Sequence, residues 1–108
     1  MAQPTPTVTP QLKPAEPKAI PSRGWKVVLF NDDVHIYEMV ILALQRAAGL
    51  SIEVAEMVAW EAHSEGSAVV KSGLDRDEAL IICAGLRKWT RIEGRTSGVH
   101  CEAQQDDE

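Results

Sequence analysis

Two short stretches of polar side chains, about thirty residues apart, have the types needed to hold a positively charged amine. Asn31, Asp32 and Asp33 follow a short β-branched and aromatic run, and His63 stands near the end of an apolar periodic segment. An amide oxygen, a carboxylate and a neutral imidazole nitrogen all accept hydrogen bonds. The α-amino group of a polypeptide, with a pKa near ~8, is a cation with three N–H donors at pH 7. Asn31, Asp32 and His63 therefore predict an amine site, although the triplet by itself also fits turn and capping chemistry.

The chain also has three histidines and two cysteines, the residue types of a zinc site or a Cys-His nucleophile pair. Their spacing supports neither, because there is no Cys-x-x-Cys, no His-x-x-x-His, no glycine-rich phosphate loop and no Gly-x-Ser-x-Gly elbow. Cys83 falls beside the apolar stripe of a predicted helix and is interpreted as a small buried hydrophobe. His100 and Cys101 are neighbours on opposite faces of a predicted strand. We expect no metal, no cofactor and no catalytic residue, and so a protein that is not an enzyme.

Size and charge exclude several other classes of function. A chain of 108 residues, 44% hydrophobic and 25% charged, is enough for one small domain with a single core. A net charge of −5 argues against nucleic-acid binding, and the one cationic cluster, Arg87, Lys88 and Arg91, is interpreted as a solvated helix face. No apolar run approaches the ~20 residues that cross a bilayer. Two cysteines without a signal-like segment favour the cytoplasm.

The two ends of the chain differ from its middle in composition. All six prolines lie within the first 21 residues, so residues 1–22 are predicted to form a mobile extended arm. Acidic side chains are concentrated at the other end, and residues 104–108 are predicted to form a flexible acidic tail. The folded domain is expected to occupy residues 23–103.

Hydrophobic periodicity in this domain first indicates a strand and then two helices. The run Trp25–Phe30 predicts a strand that ends in the turn-forming Asn-Asp-Asp triplet. A helix of about twelve residues follows and ends at Gly49, with an apolar stripe at Ile36, Val40, Ala43, Leu44 and Ala47. Ser51 is predicted to cap a second helix that ends at Gly66, with a stripe at Ala55, Val58, Ala59 and Ala62. So short a connection predicts a helical hairpin.

The rest of the domain is predicted to contain a strand, a helix and a last strand. Residues 68–70 predict the second strand, which ends at Gly73, and residues 99–103 predict the third. Asp75 or Asp77 is predicted to cap a third helix that ends at Gly94, with a stripe at Ala79, Ile82, Leu86 and Trp89. The order β-α-α-β-α-β predicts an α+β domain of two layers, with a three-stranded antiparallel sheet packed on three helices.

Two segments of this domain, WKVVLFNDD at residues 25–33 and AHSEGSAVV at residues 62–70, resemble the ClpS family. ClpS proteins are adaptors that deliver substrates to the Clp AAA+ protease, and they recognise a bulky hydrophobic first residue. The resemblance covers residues 25 to about 103 and implies a fold similar to the C-terminal domain of the ribosomal stalk protein. It implies that Asn31, Asp32 and His63 bind the substrate α-amino group. It also implies a pocket for the first side chain, with walls formed by Tyr37, Val40, Ala59, Ala62 and Val99.

The sequence departs from the family pattern at the pocket and at the docking surface for the unfoldase. Where the family usually has an aromatic residue and Thr-Pro-Met after the triplet, this chain has Val34, His35, Ile36 and Tyr37, and so loses the usual cap. Tyr37 is bulkier than Met, whereas Ala59 stands where the family commonly has a larger residue, so we expect an altered ranking of first residues. Arg76 and Ile81 replace a Glu and a Lys of the family's docking surface, which weakens charge complementarity with the usual partner.

The resemblance therefore implies a monomeric, non-enzymatic adaptor that binds substrates with a bulky hydrophobic N-terminal residue. It would deliver them to a ClpA-like or ClpC-like AAA+ unfoldase, and the proline-rich arm fits such delivery, although a simple linker is an alternative for that segment. A second function also stays open. A divergent ClpS-like interaction module could dock or inhibit a different ATPase without reading N-termini.

Overall fold

The structure, a computed structural model, describes residues 24–32 and 34–106. Its elements are β1 (Trp25–Phe30), α1 (Tyr37–Ala48), α2 (Ile52–Glu65), β2 (Ser67–Leu74), α3 (Arg76–Thr90) and β3 (Cys101–Gln105). The predicted order of elements and the α+β fold class are confirmed. The proline-rich arm predicted at residues 1–22 lies outside the described residues, as do Asp33 and the last two residues of the chain.

β1 is the central strand of an antiparallel sheet with the order β2-β1-β3. Leu29 pairs with Ala68 on one side and with Cys101 on the other, which places three buried side chains in one row across the sheet. β3 begins later than predicted and continues to Gln105. Residues 104–105 therefore belong to the sheet and not to a flexible tail, because their backbone pairs with the first residues of β1.

α1 and α2 form the predicted helical hairpin. Ser51 caps α2 as predicted, since its Oγ accepts a hydrogen bond from the N–H of Val54 at 3.2 Å. Gly66 ends α2 with a φ of +96°, a conformation that L side chains rarely adopt. The predicted apolar stripe of α2 is buried along its whole length. In α1 the prediction was wrong at Ile36, which precedes the helix as its N-cap residue and is 63% exposed.

α3 begins with two reciprocal hydrogen bonds. The Asp75 carboxylate accepts from the N–H of Glu78 at 2.8 Å, and the Glu78 carboxylate accepts from the N–H of Asp75 at 3.0 Å. This arrangement satisfies backbone donors that the first turn of a helix leaves unpaired. Of the two predicted caps, Asp75 is the one used.

The C-terminal end of α3 differs from the prediction. The helix ends at Thr90 and not near Gly94, because Arg91 adopts an extended conformation with φ −69° and ψ 134°. Trp89, predicted to belong to the buried stripe, is 40% exposed, and the Arg46 guanidinium lies 5.0 Å from its ring centroid. This cation–π contact keeps one face of the indole covered at the surface.

The core lies between the sheet and the helices α2 and α3, and α1 packs mainly on those two helices. Its largest fully buried side chains are Leu29, Leu44, Leu86, Val27, Thr90, Cys83 and Cys101. The burial of Cys83 confirms its interpretation as a small hydrophobe. Thr90 is the one polar residue of the described region that is buried as a whole residue, and it lies beside the pocket described below. No helix within the described residues is long and apolar enough to span a membrane.

Candidate functional site

A concave pocket of about 560 Å³ lies between the end of β1, the first turn of α1 and the C-terminal half of α2. Its lining contains every residue predicted for amine binding and for the hydrophobic pocket. Residues that sequence reasoning did not assign to it also contribute. The full lining is Leu29, Phe30, Asn31, Asp32, His35, Tyr37, Val40, Ala59, Trp60, Ala62, His63 and Val99. We call Asn31, Asp32, His35 and His63 the polar corner of this pocket.

Asn31 is placed in the polar corner by the junction of β1 and β2. Phe30 pairs with Ser67, and the N–H of Asn31 donates to the carbonyl oxygen of Gly66 at 3.0 Å. Gly66 ends α2, so Asn31 lies beside the last turn of the helix that carries His63. The Asn31 side chain is exposed, and no group in the described ranges hydrogen-bonds to its amide.

The Asp32 carboxylate is held by three N–H groups. Its Oδ1 accepts from the backbone N–H groups of Val34 and His35, both at 3.0 Å, and its Oδ2 lies 2.8 Å from Nδ1 of His35. Burial raises the pKa of Asp32, but the hydrogen bonds from His35 and Val34 outweigh burial and hold the pKa below its usual range. Asp32 is therefore a carboxylate at neutral pH and supplies a negative charge to the pocket.

His35 is a component of the corner that sequence reasoning missed. Its side chain is 1% exposed, and its Nε2 lies 2.6 Å from the carbonyl oxygen of Thr90 at the end of α3. The only signal in the sequence is the spacing of Asp32 and His35, which allows a local contact. Nothing in the sequence indicates the contact with Thr90, 55 residues away.

His63 lies in the last turn of α2 and is exposed. Its ring centroid lies 5.8 Å from that of Trp60, and within the part of the chain that the structure describes no group hydrogen-bonds to its ring. The C-terminal ends of α2 and of α3 both reach the polar corner. Because the C-terminus of a helix carries a partial negative charge, both helices favour a cation at this place.

The apolar walls of the pocket come from both helices of the hairpin and from the segment before β3. Tyr37 is 39% exposed, and its hydroxyl donates to the carbonyl oxygen of Glu56 at 3.1 Å, which fixes the ring across the α1–α2 junction. Ala59 and Ala62 are buried and present small side chains from α2, and Val99 is 3% exposed. The walls therefore offer apolar surface around a space large enough for one side chain.

The two residues predicted for unfoldase docking lie elsewhere. Arg76 and Ile81 are both exposed on α3, and neither lines the pocket. Ile81 is 70% exposed, and the Arg76 guanidinium is 4.0 Å from the carboxylate of Asp77. Substrate recognition and docking, as predicted, would therefore use separate surfaces.

The structure shows no group of three or more His, Cys, Asp or Glu side chains among its described residues that could hold a metal ion. Cys83 and Cys101 are both buried, and the Cys101 thiol donates to the carbonyl oxygen of Cys83 at 3.5 Å. A hydrogen bond with Cys83, together with burial, raises the pKa of the Cys101 thiol. This pair therefore contributes packing, and the polar corner is where the described residues offer binding chemistry.

Comparison with known proteins agrees with the resemblance found in the sequence. The family model "ATP-dependent Clp protease adaptor protein ClpS" matches residues 21–102. The ClpS adapter protein of Rhodococcus opacus is 31% identical over 98 residues, covering 82% of this chain and 86% of the relative, and that of Rhodococcus jostii is 32% identical over 94 residues, covering 79% and 82%. The solved structure of Agrobacterium tumefaciens ClpS2 bound to L-phenylalaninamide matches with a TM-score of 0.56 and 29% identity, over 74% of this chain and 95% of that one.

A small α+β domain whose described residues form an apolar pocket edged by polar acceptors has the architecture of a binding module. The chain belongs to the ClpS family, the adaptors of the ATP-dependent Clp protease.

Proposed function

We propose that this adaptor binds polypeptides through a bulky hydrophobic N-terminal residue and delivers them to a Clp-type AAA+ unfoldase. The substrate ammonium contacts Asn31, Asp32 and His63, and the first side chain enters the apolar pocket. One observation carries the proposal. Asn31, Asp32 and His63 all line one pocket with apolar walls, although Asn31 and Asp32 follow β1 and His63 lies in the last turn of α2.

The charge and hydrogen-bonding capacity of the polar corner match an α-amino group. A protonated amine brings three N–H donors, and the corner offers an amide oxygen, a carboxylate and an imidazole nitrogen. The ends of α2 and α3 add partial negative charge at the same place. A charge-assisted contact of this kind fixes the position of the chain start, which decides which side chain enters the pocket.

The pocket supplies the second part of the affinity. Burying a Leu or Phe side chain contributes roughly 1.5–3 kcal/mol, too little alone for tight binding. The ammonium and the side chain must therefore be held together. The relative from Agrobacterium tumefaciens is bound to L-phenylalaninamide, a compound with one α-amino group and one aromatic side chain, and this supports the same pair of contacts here.

The test compares peptides that begin with Leu or Phe with their N-acetylated copies, by fluorescence anisotropy or calorimetry. We expect the free amine to bind and the acetylated copy to bind much more weakly, because acetylation removes the charge and two donors. Asp32→Asn is expected to reduce the difference, and Asp77→Asn, at an exposed carboxylate on α3 outside the pocket, is the matched control. Equal affinity of the wild type for both peptides would overturn the proposal and favour a module that does not read N-termini.

We further propose that Arg76 and Ile81 belong to the surface that docks the unfoldase. Exposed apolar and charged side chains at the start of α3 support this assignment. Binding of the purified adaptor to ClpA-like and ClpC-like unfoldases tests it and identifies the partner. Arg76→Glu is expected to change unfoldase binding and to leave peptide affinity unchanged, since Arg76 does not line the pocket. Unchanged affinity for both unfoldases would place the docking surface elsewhere.

A further inference from the structure

His35 links the proposed amine site to the end of α3 through two hydrogen bonds. Nδ1 lies 2.8 Å from Oδ2 of Asp32, and Nε2 lies 2.6 Å from the carbonyl oxygen of Thr90. A side chain with 1% exposure cannot exchange these partners for water without moving out of its site. The Asp32 carboxylate is therefore attached to the packed helix α3 and not only to its own turn.

Both nitrogens of the His35 ring face acceptor oxygens, one from Asp32 and one from Thr90. The Asp32 carboxylate only accepts, so the ring donates this bond through Nδ1–H. A side chain with a single hydroxyl donor, such as that of threonine, cannot donate to two acceptors on opposite sides. The bridge is thus a property of histidine at position 35.

The bridge decides which part of the Asp32 carboxylate remains available. An ionised carboxylate offers about four lone-pair sites on its two oxygens. Oδ1 already accepts two backbone N–H groups, and Oδ2 accepts one ring N–H from His35. With the donors of the described residues counted, one site remains, and it is on Oδ2. The Asp32 side chain is 28% exposed, and it lines the pocket, so this remaining site is within reach of a ligand.

We infer that His35 is a positioning residue for amine recognition: it holds the Asp32 carboxylate so that one acceptor site of Oδ2 serves the substrate ammonium. The inference rests on the proposed function, since it concerns the same site. The Thr90 carbonyl is the anchor of this arrangement. The Thr90 hydroxyl accepts the N–H of the pocket-wall residue Val99 at 2.9 Å. Through its carbonyl oxygen and its hydroxyl, this one buried residue is therefore hydrogen-bonded both to His35 and to the apolar wall.

The experiment measures discrimination, defined as the affinity for a peptide starting with Leu divided by the affinity for its N-acetylated copy. His35→Phe keeps an aromatic ring and removes both ring nitrogens, and discrimination is expected to fall by about ten- to a hundredfold, the range that one charge-assisted hydrogen bond represents. His35→Gln keeps a donor and is expected to retain part of it. His100→Phe, at an exposed ring 3.0 Å from the Glu102 carboxylate, is the matched control and should leave discrimination unchanged.

A double-mutant cycle separates positioning from a merely structural role. If His35 acts through Asp32, His35→Phe has no further effect on discrimination in an Asp32→Asn background. Losses that multiply in the double variant, or undiminished discrimination in His35→Phe, would overturn the inference. Absence of discrimination in the wild type would instead refute the proposed function, so the two failures are distinguishable.

A spectroscopic measurement on the wild type covers the case in which His35→Phe does not fold. Long-range ¹H–¹⁵N spectra should show a slowly exchanging Nδ1–H proton for His35, whereas exposed His100 shows no slowly exchanging ring proton. Adding the free-amine peptide is expected to shift the His35 signals, and the acetylated peptide is not. Identical shifts with both peptides, or a His35 ring whose Nδ1 carries no proton, would overturn the inference.

Discussion

Replacing Thr90 by valine tests the polar contact that joins α3 to the pocket wall. The Thr90 side chain is fully buried, its hydroxyl donates to the carbonyl oxygen of Leu86 at 2.7 Å, and it accepts the N–H of Val99 at 2.9 Å. Thr90→Val keeps the shape of the side chain and removes the hydroxyl. The N–H of Val99, which is 3% exposed, is then left without an acceptor in a place that water cannot reach.

The expected loss of stability follows from that single unpaired donor. An unsatisfied buried N–H costs about 1–3 kcal/mol. For a domain of 60–100 residues, 1 kcal/mol corresponds to a change in Tm of about 4–8 °C. Thr90→Val is therefore expected to lower the Tm by roughly 4–24 °C. Leu86 contributes little to the loss, because its carbonyl oxygen is inside α3 and keeps its helical hydrogen bond.

Thermal denaturation and amide hydrogen exchange together check this expectation. Thr90→Ser keeps the hydroxyl and loses one buried methyl group, worth about 0.8 kcal/mol, so it is the matched control. Exchange at the N–H of Val99 should become much faster in Thr90→Val and change little in Thr90→Ser. A Thr90→Val protein with an unchanged Tm and a protected Val99 amide would show that this hydrogen bond does not hold the wall.

Three further outcomes are expected. Gly98→Ala should destabilise the domain by more than about 1 kcal/mol in urea denaturation, because Gly98 has a φ of +129° and an added Cβ would lie 2.6 Å from backbone atoms of Arg87. Asp75→Ala should lower the free energy of unfolding by about 0.5–2 kcal/mol through loss of the α3 cap. Asp77→Ala, two residues further along in the first turn, should lower it less. Because the pKa of Asp32 is lowered on folding, its contribution to stability is present above the unfolded-state value near ~3.9 and is lost as the pH falls through the lower folded-state value. The free energy of unfolding, measured from pH 6 to pH 2, should thus fall less steeply in Asp32→Asn than in the wild type.

Sequence periodicity predicted those parts of the fold in which a buried face is continuous. The stripe of α2 is buried from end to end because the helix packs both on β2 and on α1. Periodicity does not mark where the backbone leaves the helix, and so it extended the α1 stripe back to Ile36 and the third helix forward to Gly94. Trp89 has the spacing of a core residue, but a cation–π contact with Arg46 holds it at the surface.

The candidate site was predictable where its residues lie at the ends of neighbouring elements. β1 pairs with β2, and α2 ends where β2 begins, so Asn31 and His63 meet at one junction. The bridge from His35 to Thr90 was not predictable, because it depends on where the C-terminal end of α3 lies relative to α1. Contacts of that kind follow from helix packing angles, which residue types and spacing do not specify.

The shape of the pocket depends on Tyr37 and Ala59, which lie on different helices. The Tyr37 hydroxyl is bonded to the carbonyl oxygen of Glu56, so its ring cannot swing away to make room for a ligand without losing that contact. Space is therefore restricted on the α1 side and open on the α2 side, where Ala59 presents a small side chain. A binding pocket selects the side chains that fit its walls. Pockets of similar volume but different shape therefore favour different side chains. The choice of first residue should thus depend on side-chain shape more than on hydrophobicity.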